Sequence, residues 1–253
     1  MKEKILVTGY KGFIGSRLYR VFKDSGMNVD GLEINDPFPT EKYDKIYHFG
    51  GQTLLRESYK NPYMYFKQNE DFTLKLLEKC RQDDSQFFFP SSGSAVKHTN
   101  PYSLTKFHAE NWINMYAELY GITGRIYRFY NVYGGQKGAV YNFIKASFAD
   151  ESITIYNNGN NVRDYIYIDD VIGYIISHWA KNMKTVEVGT GIGTPTNELI
   201  ELIESATKHR FRAKYYEDSP VAEDVITVAK KPVEHHTLLK EGIRNVIRDY
   251  FQR

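Results

Sequence analysis

The chain has 253 residues, enough to bury a substantial core as one unit or as two joined lobes, and its composition is ordinary for a globular protein. Its 33 basic and 31 acidic side chains leave a net charge of +2 with no basic stripe, which excludes nucleic acid and an anionic membrane surface as implied partners. Cys80 is the single cysteine, so an intrachain disulfide is excluded and a core-packing role in a reducing compartment is expected. No signal pattern precedes the first apolar run, and the longest apolar stretch, around Val171 to Ile176, is too short to span a bilayer. A cytoplasmic location is the expectation.

In chain order, Ile5-Leu6-Val7 reads as a short strand that runs into Gly9, Gly12 and Gly15, and Arg17 to Lys23 reads as the helix after it. Glycine is needed there for a tight turn, for close approach to a pyrophosphate and for helix–strand packing, and the helix N-terminus favours negative charge. A second strand, Val29 to Leu32, ends at Glu33, where a carboxylate suits an adenosine ribose diol and repels a 2′-phosphate, so NAD is favoured over NADP. Between Asn35 and Tyr43 the chain holds two prolines and no room for a strand plus helix, so one edge βα unit of a dinucleotide-binding sheet is expected to be missing. Lys45 to Phe49, Phe87 to Phe89 and Arg125 to Phe129 read as further strands, with Tyr63 to Arg81 and Ser103 to Tyr120 as covering helices. This alternation predicts an α/β fold: a Rossmann-type, doubly wound parallel sheet covered on both faces.

Chemistry is suggested by Ser91-Ser92 at a strand end, followed by Pro101-Tyr102-Ser103-Leu104-Thr105-Lys106. On a helix Tyr102 and Lys106 share a face, and an ammonium beside a phenol lowers its pKa, so that Tyr102 can take a proton from a sugar hydroxyl with Ser92 sharing it. The same Tyr-x-x-x-Lys spacing occurs at Tyr19/Lys23, Tyr63/Lys67, Tyr133/Lys137 and Tyr141/Lys145; only Tyr102 follows a serine-bearing strand end and a helix-opening proline. His235-His236 lacks a third ligand at metal-site spacing and reads as a surface pair, so no metal is expected.

This arrangement resembles the extended short-chain dehydrogenase/reductase family, in its nucleotide-sugar epimerase and dehydratase branch, nearly end to end. Further matches are His48-Phe49-Gly50-Gly51-Gln52, Asn69, Arg128 to Gly134 and Asn158 to Val171. The resemblance implies NAD held by Gly9, Gly12, Phe13, Ile14, Gly15, Glu33, Phe49, Gly50, Gly51, Asn69, Tyr102 and Lys106, with Ser92, Tyr102 and Lys106 catalytic. It places Ser92, Gly93, Ser94, Tyr102, Asn131 and Arg163 at a nucleotide sugar, with a pair to Asp164 or Asp169 as the alternative use of Arg163. It divides the chain into an NAD-binding Rossmann domain over 1–135, with a return segment over about 162–190, and a small α/β substrate-binding lobe over 136–161 and 191–253. It also implies a homodimer through the helices near 63–80 and 103–120, whose Tyr63, Tyr65, Phe66, Phe72, Phe107, Trp112 and Tyr116 are compatible with such packing.

Family dehydratases carry an Asp-Glu pair just after the catalytic Ser or Thr; here Gly93 and Ser94 stand there. Ser94 also occupies the position of the cysteine found in the family's epimerase–reductases. The remaining Ser/Tyr/Lys set suits reversible oxidation at C4, and His48 to Gly51 and Glu57 to Pro62 resemble stretches of UDP-glucose 4-epimerases. A C4 epimerase is therefore expected. A dehydratase or keto-sugar reductase of the same family, and a trimmed, weakly catalytic dinucleotide-binding sensor or assembly protein, are the alternatives. The trimming includes the stretch Ser219 to Asp224, where no second diphosphate-binding arginine stands.

Overall fold

In the computed structural model, which describes residues 3–178, 182–210 and 212–252, the alternating apolar runs sort into two units. Unit 1 runs to Arg128 and takes in Ile176–Val186; unit 2 comprises Phe129–Ile175 and the chain from Glu187 onward. Of the return segment expected over about 162–190, Ile176–Val186 joins unit 1 whereas 162–175, whose strand pairs within unit 2, and 187–190 stay in unit 2.

Unit 1 begins with β1 (Lys4–Thr8), α1 (Phe13–Asp24), β2 (Asn28–Leu32) and β3 (Lys45–His48). The chain continues through α2 (Leu55–Lys60), α3 (Pro62–Tyr65), a π-helical turn (Phe66–Asp71) and α4 (Phe72–Asp83). It then passes through β4 (Gln86–Ser92), a short turn (Gly93–Val96), α5 (Pro101–Tyr120) and β5 (Gly124–Phe129). The sheet has six strands in the order β2-β1-β3-β4-β5-β9, where β9 is Lys184–Val188, and β1 pairs parallel with both β2 and β3. Here β2 is the edge, as the short link after Glu33 requires.

Alternation along the strands divides the apolar residues between two faces. Leu6, Ile46, Phe87, Phe89 and Ile126 pack with Leu76, Ala109 and Ile113 of α4 and α5. On the other face Tyr47 stacks on Phe88 at 4.3 Å between ring centroids and meets Phe22 of α1 at 5.2 Å. Cys80 lies in the first of these clusters, fully buried, and burial pushes its thiol pKa well up.

Tyr63 to Arg81, expected as one helix, is three pieces. The π turn widens the backbone between α3 and α4 and brings the Asn69 side chain inward, where it is 1% exposed.

Unit 2 holds β6 (Asn131–Tyr133), α6 (Gly138–Ala149), β7 (Ser152–Ile155), β8 (Val162–Tyr167) and all but the last two residues of α7 (Ile168–Ser177). After β9 come β10 (Gly193–Pro195), α8 (Thr196–Thr207), β11 (Arg212–Tyr215), β12 (Ile226–Thr227) and α9 (Leu239–Phe251). β8 is the hub, pairing with β6, β10 and β12, while β7 pairs with β11. Tyr133, Ile144, Tyr165, Leu199, Ile203 and Ile243 form its core. Among the described residues no helix is long and apolar enough to cross a membrane.

Candidate active site

The order of the sheet reverses between β2 and β3 around β1, and ligands of open α/β sheets bind outside the strand ends at such a point. The glycines meet there. Gly9 has φ +64°, and a Cβ on it would lie 2.5 Å from the Gly50 amide nitrogen. One on Gly15 would lie 2.2 Å from the Gly9 carbonyl oxygen and 3.4 Å from the Phe49 Cβ. Two of the three glycines thus let the turns after β1 and β3 close on each other. Gly12 caps α1 without a side-chain hydrogen bond, and the first turn, which carries Phe13, Ile14 and Gly15, holds no acid. Its amides and dipole are left for an anion. Glu33 follows β2 and accepts the Lys11 amide at 2.8 Å, so it fastens the loop with one oxygen. This uncapped helix start, glycine turn and neighbouring carboxylate fit a dinucleotide.

Ser92 ends β4, and its hydroxyl contacts both the Ser94 hydroxyl at 2.9 Å and the phenol of Tyr102. Gly93 and Ser94 open the turn that follows, and Ser94 donates its amide to the Ser92 hydroxyl. Tyr102 is fixed because Asn100 caps α5: its Oδ1 accepts the Ser103 amide at 2.9 Å, Ser103 Oγ accepts the Asn100 amide at 3.1 Å, and Pro101 opens the helix. Lys106 is on the same helix, 3% exposed, and donates to the Pro90 carbonyl at 2.8 Å with its ammonium 4.5 Å from the centre of the Phe89 ring.

The electrostatics differ from the expectation. Burial holds the Tyr102 phenol above its ordinary pKa, and the group that opposes this is Ser92 rather than Lys106. Lys106 is itself pushed down to about 8 by burial, against the pull of Glu110. Glu110, 2% exposed, accepts from Ser91 and takes a two-pronged bond from Arg128, with the Nε contact at 2.9 Å. The buried Glu110 carboxylate therefore serves two cations, bonding the partly exposed Arg128 guanidinium and acting across one helical turn on the buried Lys106 ammonium.

Gly50, Gly51 and Asn69 belong to a second network. Asn69 Oδ1 accepts the Gln52 amide at 2.8 Å, and Nδ2 donates to the Gln52 carbonyl and to Thr105 Oγ1, both at 3.1 Å. The Asn69 side chain therefore braces the loop after β3 against α5. Gly51, at φ +138°, leaves space for it, since a Cβ would lie 2.6 Å from Asn69 Oδ1.

His48 is fully buried between Thr8 Oγ1 at 2.7 Å and Thr73 Oγ1 at 3.0 Å. Thr73 donates to the Asn69 carbonyl and Thr8 accepts the Gly50 amide, so the hydroxyl directions assign Nε2 as the protonated nitrogen of a neutral ring. Burial pushes its pKa from 6.5 to about 3. The unfolded chain then binds a proton that the native state refuses, and stability falls as pH drops from about 6.5 toward 3. In denaturant titrations His48→Gln should lose about 2 kcal/mol less than the native chain between pH 7.5 and 5. Equal losses would show that His48 does not set this slope.

In unit 2, Asn131 starts β6, and its register partner on β8 is Tyr165. Arg163 lies on β8 between Thr194 of β10 and Thr227 of β12. Neither alternative partner named for Arg163 is the one observed. Asp164 is taken up by Thr190, Gly191 and Ala229, and Arg163 instead pairs with Glu223 at 3.3 Å.

Glu110 and Asn100 were not singled out from sequence. Glu110 is four residues after Lys106 on the same helical face, and Asn-Pro-x-Ser is a helix-start signature, so both carried a local signal. Tyr65 and Phe72, expected in a dimer face, are buried in unit 1, whereas Tyr63, Phe66 and Trp112 are exposed. No group of three or more His, Cys, Asp or Glu among the described residues is placed to hold a metal.

A sequence profile of the NAD dependent epimerase/dehydratase family matches residues 32–189. A putative UDP-glucose 4-epimerase of Methanocaldococcus jannaschii is 30% identical over 96% of this chain and 97% of its own length. A UDP-glucose 4-epimerase of Mycolicibacterium smegmatis is 28% identical over 80% of this chain and 82% of its own length. Among solved structures, the Thermotoga maritima UDP-glucose 4-epimerase with UDP-glucose matches with a TM-score of 0.85 at 24% identity, covering 98% of this chain and 99% of that one. At that identity the likeness is one of fold.

Proposed function

The chain belongs to the NAD dependent epimerase/dehydratase family, and from that premise we propose that it is an NAD-dependent epimerase of a UDP-sugar, inverting C4 through a transient 4-keto sugar. The observation that carries the reading is the hydroxyl chain Ser94–Ser92–Tyr102, with buried Lys106 one turn along the helix that carries Tyr102, and with Gly93 and Ser94 where elimination across C5 and C6 would need carboxylates. The named UDP-glucose 4-epimerases support the choice of nucleotide and stereocentre.

NAD, when bound, supplies a hydride acceptor that returns the hydride to the opposite face of the sugar carbon, so none is consumed. The chain's own residues do the rest. The amides at the start of α1 would hold the pyrophosphate, Glu33 the adenosine ribose and Lys106 the nicotinamide ribose. Tyr102 removes the 4-OH proton as phenolate and gives it back on return, with Ser92 bound to the same oxygen. In unit 2, Asn131 and Arg163 hold the nucleotide sugar. Localisation is proposed to be cytoplasmic. The protein is proposed to be a homodimer through α4 and α5, supported by exposed Phe66, Leu104, Trp112, Met115 and Leu119 on and beside them.

The test is NMR of UDP-glucose, UDP-galactose and their N-acetyl forms incubated with purified protein, whose sedimentation is expected at twice the mass of the chain. A C4-inverted product without net NADH change is expected. Unchanged sugars in the presence of NAD would overturn the reading, consumption of NADH would mark a keto-sugar reductase, and a monomer turning over at full rate would remove the dimer.

A further inference from the structure

Arg163 is not free to receive a ligand as it stands. Its Nη1 donates to the carbonyls of Val162 at 3.1 Å and Val225 at 3.0 Å, and its Nη2 faces Glu223 Oε2 at 3.3 Å. The two side chains are 15% and 13% exposed, so solvent screens them poorly yet reaches them. The contact is loose. A charge-assisted N–H···O bond usually closes to about 2.7–2.9 Å and an arginine prefers a two-pronged grip, as Arg128 has on Glu110. The Nη2–Oε2 contact is long by that measure, and the carbonyls that position the guanidinium remain if the carboxylate leaves.

Glu223 also reaches Arg163 across 60 residues of sequence, from the stretch that leads into β12. Two residues on, Val225 is anchored by accepting the Val162 amide at 2.8 Å, so the sheet delivers the carboxylate to the guanidinium. We infer that Glu223 is an intramolecular competitor for Arg163, a specificity residue whose carboxylate occupies the guanidinium that a substrate diphosphate would take. This rests on the proposal that Arg163 binds the diphosphate. A ligand with two phosphates must then displace Glu223 or place its charge beside it, and either course weakens binding of the diphosphate while leaving the nucleoside unaffected.

The experiment is calorimetric binding of UDP and of uridine to the full chain, its Glu223→Gln and Arg163→Met variants, and the double variant. Glu223→Gln should tighten UDP about tenfold, the worth of one charge-assisted hydrogen bond, with uridine unchanged. Arg163→Met should weaken UDP and erase the gain in the double variant. If Arg163→Met weakens UDP while Glu223→Gln changes nothing, or tightens uridine equally, the inference fails and the reading of Arg163 stands. If Arg163→Met leaves UDP binding untouched, or no variant binds UDP, the reading itself fails and takes the inference with it. Should Glu223→Gln not fold, Glu223→Asp withdraws the carboxylate by one methylene; a smaller gain for UDP alone supports competition, and no gain overturns it.

Discussion

Tyr102→Phe is expected to lower epimerase turnover at least a thousandfold, about the contribution of one general base, while leaving binding of UDP-sugar and the stability of the fold nearly unchanged. The substitution removes one oxygen. The ring keeps its place, edge-on to Tyr65 at 6.4 Å, and α5 keeps its Asn100 cap. What is lost is the group that must leave and regain a proton. Burial holds that proton on the phenol and Ser92 works against the burial, so Ser92→Ala should raise the pKa of Tyr102 further. Its rate should be low at pH 7 and recover in part as pH rises. Single-turnover rates across pH test both variants. More than a tenth of native turnover in Tyr102→Phe would remove Tyr102 as the base, and a Ser92→Ala profile that is uniformly lower without shifting would confine Ser92 to holding substrate.

The features legible in sequence are those whose cause is local. Glycines at every third position after an apolar run announce a turn that a Cβ would obstruct, and the structure shows the obstruction between Gly9 and Gly50. The missing edge unit was legible because the link from Asn35 to Tyr43 cannot hold a strand and a helix, and β2 is the edge. The break in the helix expected over Tyr63 to Arg81 was not legible. Periodicity continues through Phe66–Asp71, and the turn widens where Asn69 bonds Gln52, seventeen residues back. The partner of Arg163 was invisible for the same reason, since adjacent acids suggested themselves and the observed acid is 60 positions away. Tyr102 and Lys106 were correctly placed on one face of a helix, yet spacing could not say that the ammonium turns to the Pro90 carbonyl. Spacing gives the face; the neighbours of that face come from the rest of the chain.

Those neighbours make Glu110→Gln the substitution with the largest expected effect on stability. Glu110 is 2% exposed and balances the charge of Arg128 directly and that of Lys106 one helical turn away. An amide in its place keeps the volume, loses the charge, and turns a donor toward the guanidinium. Leaving the Arg128 guanidinium, a quarter exposed, without its counter-charge costs about 2–3 kcal/mol, below the range of a fully buried pair. Replacing both partners, Glu110→Leu with Arg128→Met, should cost less than the single change, because no guanidinium is then left without its counter-charge. The deficit should also depend on pH. Lys106 has a folded-state pKa near 8, below its ordinary value, so the native state holds fewer protons than the unfolded chain above that pH and stability rises as the lysine neutralises. Without Glu110 the pKa falls further and the rise begins earlier, which makes the deficit of Glu110→Gln larger at pH 7 than at pH 10. Activity that needs the ammonium should fail at lower pH in the same variant. Denaturant titrations at the two pH values, beside an alkaline rate profile, decide it: a deficit that is equal at both, with an unmoved alkaline limb, would mean that Glu110 serves Arg128 alone and that Lys106 holds its proton by other means.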